Sequence, residues 1–288
     1  MNFVLLLKTF LLTKSSYCSP ATLKKYQEDC EAFLQFLPAA SPELLPDGFS
    51  PFQEYIIYLR KLGKRTVTIR SYARSVKSFL RWAYESGYLP DYLRGVKLPR
   101  DDSRPKLPLY ADEVARIDEY LTLRDWLIFH LMLDSGLRRQ EVIHLQVEHL
   151  IPERNVLQIL DSKGNKSRFV LVPDFVLDKL QYYLKLQRIS SGYVFRSGSG
   201  TPLTDNTIKM LFQHLKKRSG VERLHAHLLR HTFATSYLLG GGNLEFLRVF
   251  MGHYDYTVTK NYSSLAAQMK MLGADVYKLD PIWFTRGY

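Results

Sequence analysis

Cysteine is nearly absent. The 288 residues hold two, Cys18 and Cys30, and neither stands in metal-ligand spacing. That excludes a disulfide-stapled scaffold and a cysteine-based zinc site, and it fits a reducing compartment. Long apolar runs are missing as well. The opening segment FVLLLKTFLL is the nearest approach, and it falls far short of the roughly 20 apolar residues that span a bilayer. As a signal peptide it lacks a basic leader and a small-residue cleavage site, and Lys8 interrupts it. Phe3, Leu6, Leu7, Phe10 and Leu11 recur at helical spacing, which predicts a packed amphipathic helix. No internal repeat or low-complexity tract is present. Acidic residues are the third scarcity: 28 Asp and Glu face 40 Lys and Arg, for a net charge of +12 and a pI of about 9.5. A polyanionic partner follows, nucleic acid ahead of membrane.

What is present is mostly helical. Ser19-Pro20 is an N-cap serine followed by proline at the first helical position, and opens a helix through Tyr26, Phe33, Leu34 and Leu37. After a proline-rich loop, a third helix sets Tyr55, Ile56, Leu59 and Leu62 on one face. A fourth runs from about Thr66 to Ser86. At about 100° per residue, Arg70, Arg74, Lys77 and Arg81 form one stripe, with Ile69, Tyr72, Val76, Phe79, Leu80 and Ala83 roughly opposite. No acidic residue interleaves the stripe, so a phosphate-contacting face is expected. Residues 98–108, LPRDDSRPKLP, read as a linker. Two domains follow: an all-helical one over about 1–97 and a mixed, mainly helical one over about 109–288. In the second, helices are expected at about 111–121, 124–135, 174–188, 204–219, 227–239 and 243–251. Val156–Leu160 and Phe169–Val172 read as a β-hairpin. The class is mainly α with a small β-hairpin or sheet (α+β).

The chemistry gathers at three places. Ser135-Gly136-Leu137-Arg138 is followed three residues on by Glu141. Lys163 stands in the turn Asp161–Arg168. His227 and Arg230 are one helical turn apart, His253 closes Met-Gly-His, and Tyr262 lies nine residues later. Arginine grips phosphate with a planar fork and stays charged at working pH. Tyrosine forms a phosphoester whose phenol leaves better than a sugar alkoxide, which conserves the energy of a broken DNA strand. Lys163 suits the proton donor for a departing 5′ oxygen, and Glu141 lies close enough to orient Arg138 or a neighbouring histidine. His225, His227 and His231 put two histidines four apart, but no carboxylate or cysteine accompanies them, so no metal is expected. Gly240-Gly241-Gly242 reads as a helix end, a turn and the next cap. Tyr254 and Tyr256 lie near Tyr262, and the spacing from His253 favours Tyr262.

In this order and spacing, over roughly residues 19–265, the chain resembles the tyrosine recombinase (phage integrase) family. The resemblance implies that Arg138, Lys163, His227, Arg230 and His253 surround a phosphate that Tyr262 attacks, with Glu141 in support. It implies a 3′-phosphotyrosine, a Holliday-junction intermediate, four protomers on two double-stranded DNA segments and no cofactor. Accessory DNA-binding proteins and a cytoplasmic, nucleoid-associated location accord with it. The tail from about 265 to 288, aromatic through Tyr277 and Trp283–Phe284, is expected to dock on a neighbouring protomer, with packing on its own domain the close alternative. A type IB topoisomerase-like nicking and resealing enzyme and a catalytically silent DNA-binding regulator are the alternative functions.

Overall fold

The computed structural model describes residues 2–38, 41, 45–46, 48–100, 106–160, 167–252 and 256–285. The chain divides into two units, Met1–Arg104 and Pro105–Tyr288. The first is built from α1 (Phe3–Ser15), α2 (Pro20–Phe36), α3 (Pro51–Lys61) and α4 (Thr66–Glu85). Asn2 and Ser19 cap α1 and α2 with side-chain oxygens that accept the N–H of Leu5 and Thr22, each taking up a donor the first helical turn leaves unpaired. Phe3, Leu6, Leu7 and Phe10 enter the core with Phe33, Tyr55, Ile69 and Phe79. Buried Asp29 joins α2 to α4: it accepts from Lys25 and from Ser75 Oγ, both at 2.6 Å. Leu62 departs from the expected face. It follows the last turn of α3 and is 53% exposed.

The cationic stripe of α4 is less uniform than its spacing suggests. Arg74 and Arg81 are exposed and Lys77 is half-buried. Arg70 instead turns toward its own unit, where Nη1 donates to the Pro99 carbonyl and Nε is buried. Leu98, the first residue of the expected linker, packs on the same core.

The second unit runs α5 (Ala111–Asp118), α6 (Leu123–Asp134), α7 (Arg139–Ile143), β1 (Leu150–Ile151), β2 (Val156–Leu160), β3 (Ser167–Leu171), α8 (Asp174–Leu186), α9 (Asp205–Ser219), α10 (Ala226–Leu239), α11 (Leu244–Met251), α12 (Tyr256–Met271) and α13 (Ile282–Thr285). The expected hairpin gains a two-residue strand, giving an antiparallel sheet in the order β1-β2-β3 with Leu160 opposite Ser167 and Ile159 opposite Arg168. The core is centred on α6, whose residues from Leu127 to Leu133 are all buried, and on the inner face of α10.

Two features set the start of the site. Gly136 has φ +63°, and a Cβ there would meet the Phe233 ring at 2.6 Å, so only glycine makes the turn from α6 to Arg138 without strain. The end of α6 is then fixed by the chain's tail, whose described residues pack on their own unit. Tyr277 Oη donates to Asp134 Oδ1 and Trp283 Nε1 to the Asp134 carbonyl, both at 2.9 Å. The Trp283 ring is buried edge-on to Phe233 and Phe250. Tyr277 N donates to the Leu109 carbonyl and Ala111 N to that of Asp275, flanking a bridge between Tyr110 and Val276. The Trp283 ring lies between α10 and α11, and wholly buried Asp134 takes donors from both tail aromatics in addition to His130. Tyr262 itself stands in α12, a helix the expected element set did not include.

Candidate active site

Arg138 is the N-cap residue of α7, and Glu141 at its third position reaches back. Glu141 Oε2 accepts the Arg138 backbone N–H at 2.7 Å, and Oε1 accepts Arg138 Nη1 at 2.8 Å. The three-residue spacing on one turn makes this closure possible. Arg168, from β3, meets the same carboxylate with both forks, Nη1 to Oε1 and Nη2 to Oε2, at 2.8 Å each. Burial alone would raise the Glu141 pKa. The bonds and charge of Arg168, with the Arg138 N–H and the Arg230 charge, hold it down to about 2.

The three guanidinium groups converge on one helix end. Arg138 Nη2 donates to the carbonyls of Met251 and Gly252, and Arg168 Nε to that of Phe250, at 2.7 to 2.8 Å. Arg230, 2% exposed, donates to the carbonyls of Gly136 and Met251. The last carbonyls of α11 have no partner within the helix and form the negative end of its dipole, so they attract these cations. Three guanidinium charges face one carboxylate, leaving an excess of two positive charges in a poorly hydrated site. Burial, and then Arg138, press the Arg230 pKa down to about 9, still above working pH. Such a nest fits a phosphate diester better than a neutral ligand.

Tyr262 faces this cluster from α12. Its ring is buried, edge-on to His231 at 5.1 Å between centroids. Burial raises the pKa of its phenol, and the Arg230 charge opposes that rise. His227 and His231 share the α10 face with Arg230. Desolvation, followed by Lys106, Arg230 and other nearby cations, lowers the His227 pKa. Burial, then His227 and Lys106, lowers that of His231 to about 4. Both imidazoles are therefore neutral near pH 7, and an arriving anion would favour their charged forms.

The fold thus brings together Arg138, Glu141, Arg230, His227 and Tyr262. Lys163 and His253 lie outside the described residues, as does Tyr254, and Arg70, Arg74, Lys77 and Arg81 belong to the other unit. Sequence reasoning missed Arg168. A signal existed: strand alternation sets it on the same face as buried Val170 and opposite buried Ile159, where an unpaired charge is excluded. Among the described residues, no group of three or more metal-capable side chains comes together, and no helix is long and apolar enough to cross a membrane.

The model of the phage integrase family matches residues 109–269, more than half of the chain and all of the cluster above. The chain belongs to this family, and it is an enzyme of the tyrosine recombinase class. It is 25% identical over 271 residues to the tyrosine recombinase XerC of Staphylococcus carnosus, covering 90% of this chain and 91% of that one. Tyrosine recombinase XerD of Listeria innocua is 27% identical over 278 residues, with 90% and 92% covered. Among solved structures, the Tn1549 transposon integrase in complex with circular intermediate DNA superposes with a TM-score of 0.76 at 20% identity, covering 94% of this chain and 100% of that one. That likeness is one of fold.

Proposed function

We propose that the protein is a site-specific recombinase that cuts and rejoins double-stranded DNA through a covalent bond to Tyr262. The observation that carries this is the excess positive charge of Arg138, Arg168 and Arg230 over Glu141, held beside a buried tyrosine. Tyr262 gives its phenol proton to a neutral imidazole of the site as its Oη attacks the scissile phosphorus; a P–O bond forms, and the bond to the 5′ oxygen breaks. Arg138 and Arg230 stabilise charge growing on the non-bridging oxygens, with His227 and His253 as further donors. Lys163 supplies the proton that the 5′ oxygen takes as it leaves. The 3′-phosphotyrosine keeps the energy of the broken bond, and a 5′ hydroxyl of the partner DNA reverses the step. No metal or nucleotide is consumed.

Strand exchange of this kind passes through a Holliday junction and uses four protomers on two DNA segments, with accessory DNA-binding proteins selecting the product in the cytoplasm. The first unit grips phosphates with Arg74, Lys77 and Arg81, while Arg70 braces the fold. Integration or excision of a mobile element and resolution of a replicon are all served by this chemistry.

A half-site selected from randomised duplexes and nicked beside the scissile phosphate tests the proposal, because its short 5′ product diffuses away. Wild type is expected to accumulate a covalent adduct, and Tyr262→Phe to bind with similar affinity and form none. An adduct that persists in Tyr262→Phe, or maps to Tyr254 or Tyr256, defeats the assignment. Relaxation of plasmids without any exchanged product would favour a topoisomerase.

A further inference from the structure

Arg168 approaches the phosphate site without being placed to hold the phosphate itself. Its Nε is bonded to the Phe250 carbonyl and its two Nη atoms to the two oxygens of Glu141. The Arg168 and Glu141 side chains are each 11% exposed, so this is a desolvated, two-pronged pair. Glu141 is also the group that holds Arg138 by backbone and side chain. A buried carboxylate shared between two arginines has one charge to give. If Arg168 were missing, that charge would fall wholly on Arg138 and cancel it.

We propose that Arg168 is a positioning residue that compensates Glu141 and so leaves the charge of Arg138 for the scissile phosphate. It rests on the recombinase reading above. Two consequences follow from the geometry. Arg168 fixes the carboxylate plane from which Arg138 hangs, and it anchors β3 to the end of α11 through the Phe250 carbonyl. Its loss therefore weakens transition-state stabilisation while leaving DNA affinity, which depends on many distributed phosphate contacts, nearly intact.

The test is single-turnover cleavage of the nicked half-site at saturating protein, with half-site affinity and melting temperature measured alongside. Arg168→Lys, which keeps the charge and loses the fork, is expected to cleave about tenfold more slowly, and Arg168→Gln about a hundredfold, with affinity within about threefold of wild type. In a Glu141→Gln background there is no carboxylate to compensate, so adding Arg168→Gln should cost less than about threefold more. A substrate with sulfur at the bridging 5′ position, which needs no proton to leave, should not restore Arg168→Lys or Arg168→Gln. The inference is overturned by wild-type cleavage in Arg168→Lys, by fully additive losses in the double variant, or by rescue with sulfur, which would route the effect through the leaving group. Should Arg168→Gln alone fail to fold, Arg168→Lys and the double variant, where two amides face each other, still decide. A wild-type adduct with an unaffected Arg168→Lys defeats this inference alone. Absence of any wild-type adduct defeats the recombinase reading with it.

Discussion

His231 shows how one residue reports on the charge of its surroundings. It is a buried imidazole against Tyr262, and among the described residues its Nδ1 finds no hydrogen-bond partner. Its pKa lies at about 4 in the fold against an ordinary 6.5. The unfolded chain therefore takes up the proton first as pH falls, and stability drops between about pH 6.5 and 4 by roughly 3 kcal/mol at most. Glu141, held at about 2 against an ordinary 4.5, adds its own loss as pH falls between those two values. Urea denaturation at pH 7 and pH 5 should show a loss for wild type that is clearly smaller in His231→Asn. Equal losses in the two proteins would place the pH dependence elsewhere. Arg138, Glu141, Arg230 and Tyr262 were legible because each sits in a local phrase whose chemistry is explicit. Arg168 was not, because its role depends on a carboxylate 27 positions earlier and a carbonyl 82 positions later.

Among the elements, α4 carries the clearest expectation. Its inward residues from Ile69 to Ala83 pack as their spacing requires, and Arg74 and Arg81 remain exposed. Replacing Arg74 and Lys77 by alanine should weaken binding to every duplex alike and flatten the salt dependence by about two units, one for each lost phosphate contact. A slope that does not change would make the stripe a solvated face. Arg70→Ala should instead lower the melting temperature, because it removes the bond to Pro99. Helix starts were read well, since Ser19, Thr204 and Asn243 announce them with side chains that accept backbone N–H groups. Ends were read less well. α5 stops at Asp118 because Tyr120 and Leu121 turn back on the carbonyls of Ile117 and Asp118, and β1 is too short for an alternating pattern to reveal.

For the molecule as a whole, the tail is where sequence and structure part. Its aromatic residues identify a docking segment, but composition cannot say whose surface receives it. Here the receiver is the unit's own core, through Asp134, Ser236 and the backbone of Leu109. Truncation after Ala274 is accordingly expected to destabilise the second unit, and Trp283→Ala to cost about 3 to 5 kcal/mol in chemical denaturation. The first unit, with its separate core, should unfold as before. A truncated protein that melts like wild type and loses only the pairing of protomers would mean that the segment serves assembly.

The bonds from Tyr277 and Trp283 to Asp134 also impose an order in time. A ribosome delivers Tyr262 before either of them, and Asp134 stands four residues ahead of Arg138. A nascent chain can thus own its nucleophile while the turn that aims its arginine is still unfastened. On the recombinase reading proposed above, a chain that has not yet added Tyr277 and Trp283 would hold Tyr262 without a fastened Arg138 turn, and would be a poor nuclease toward the DNA around it.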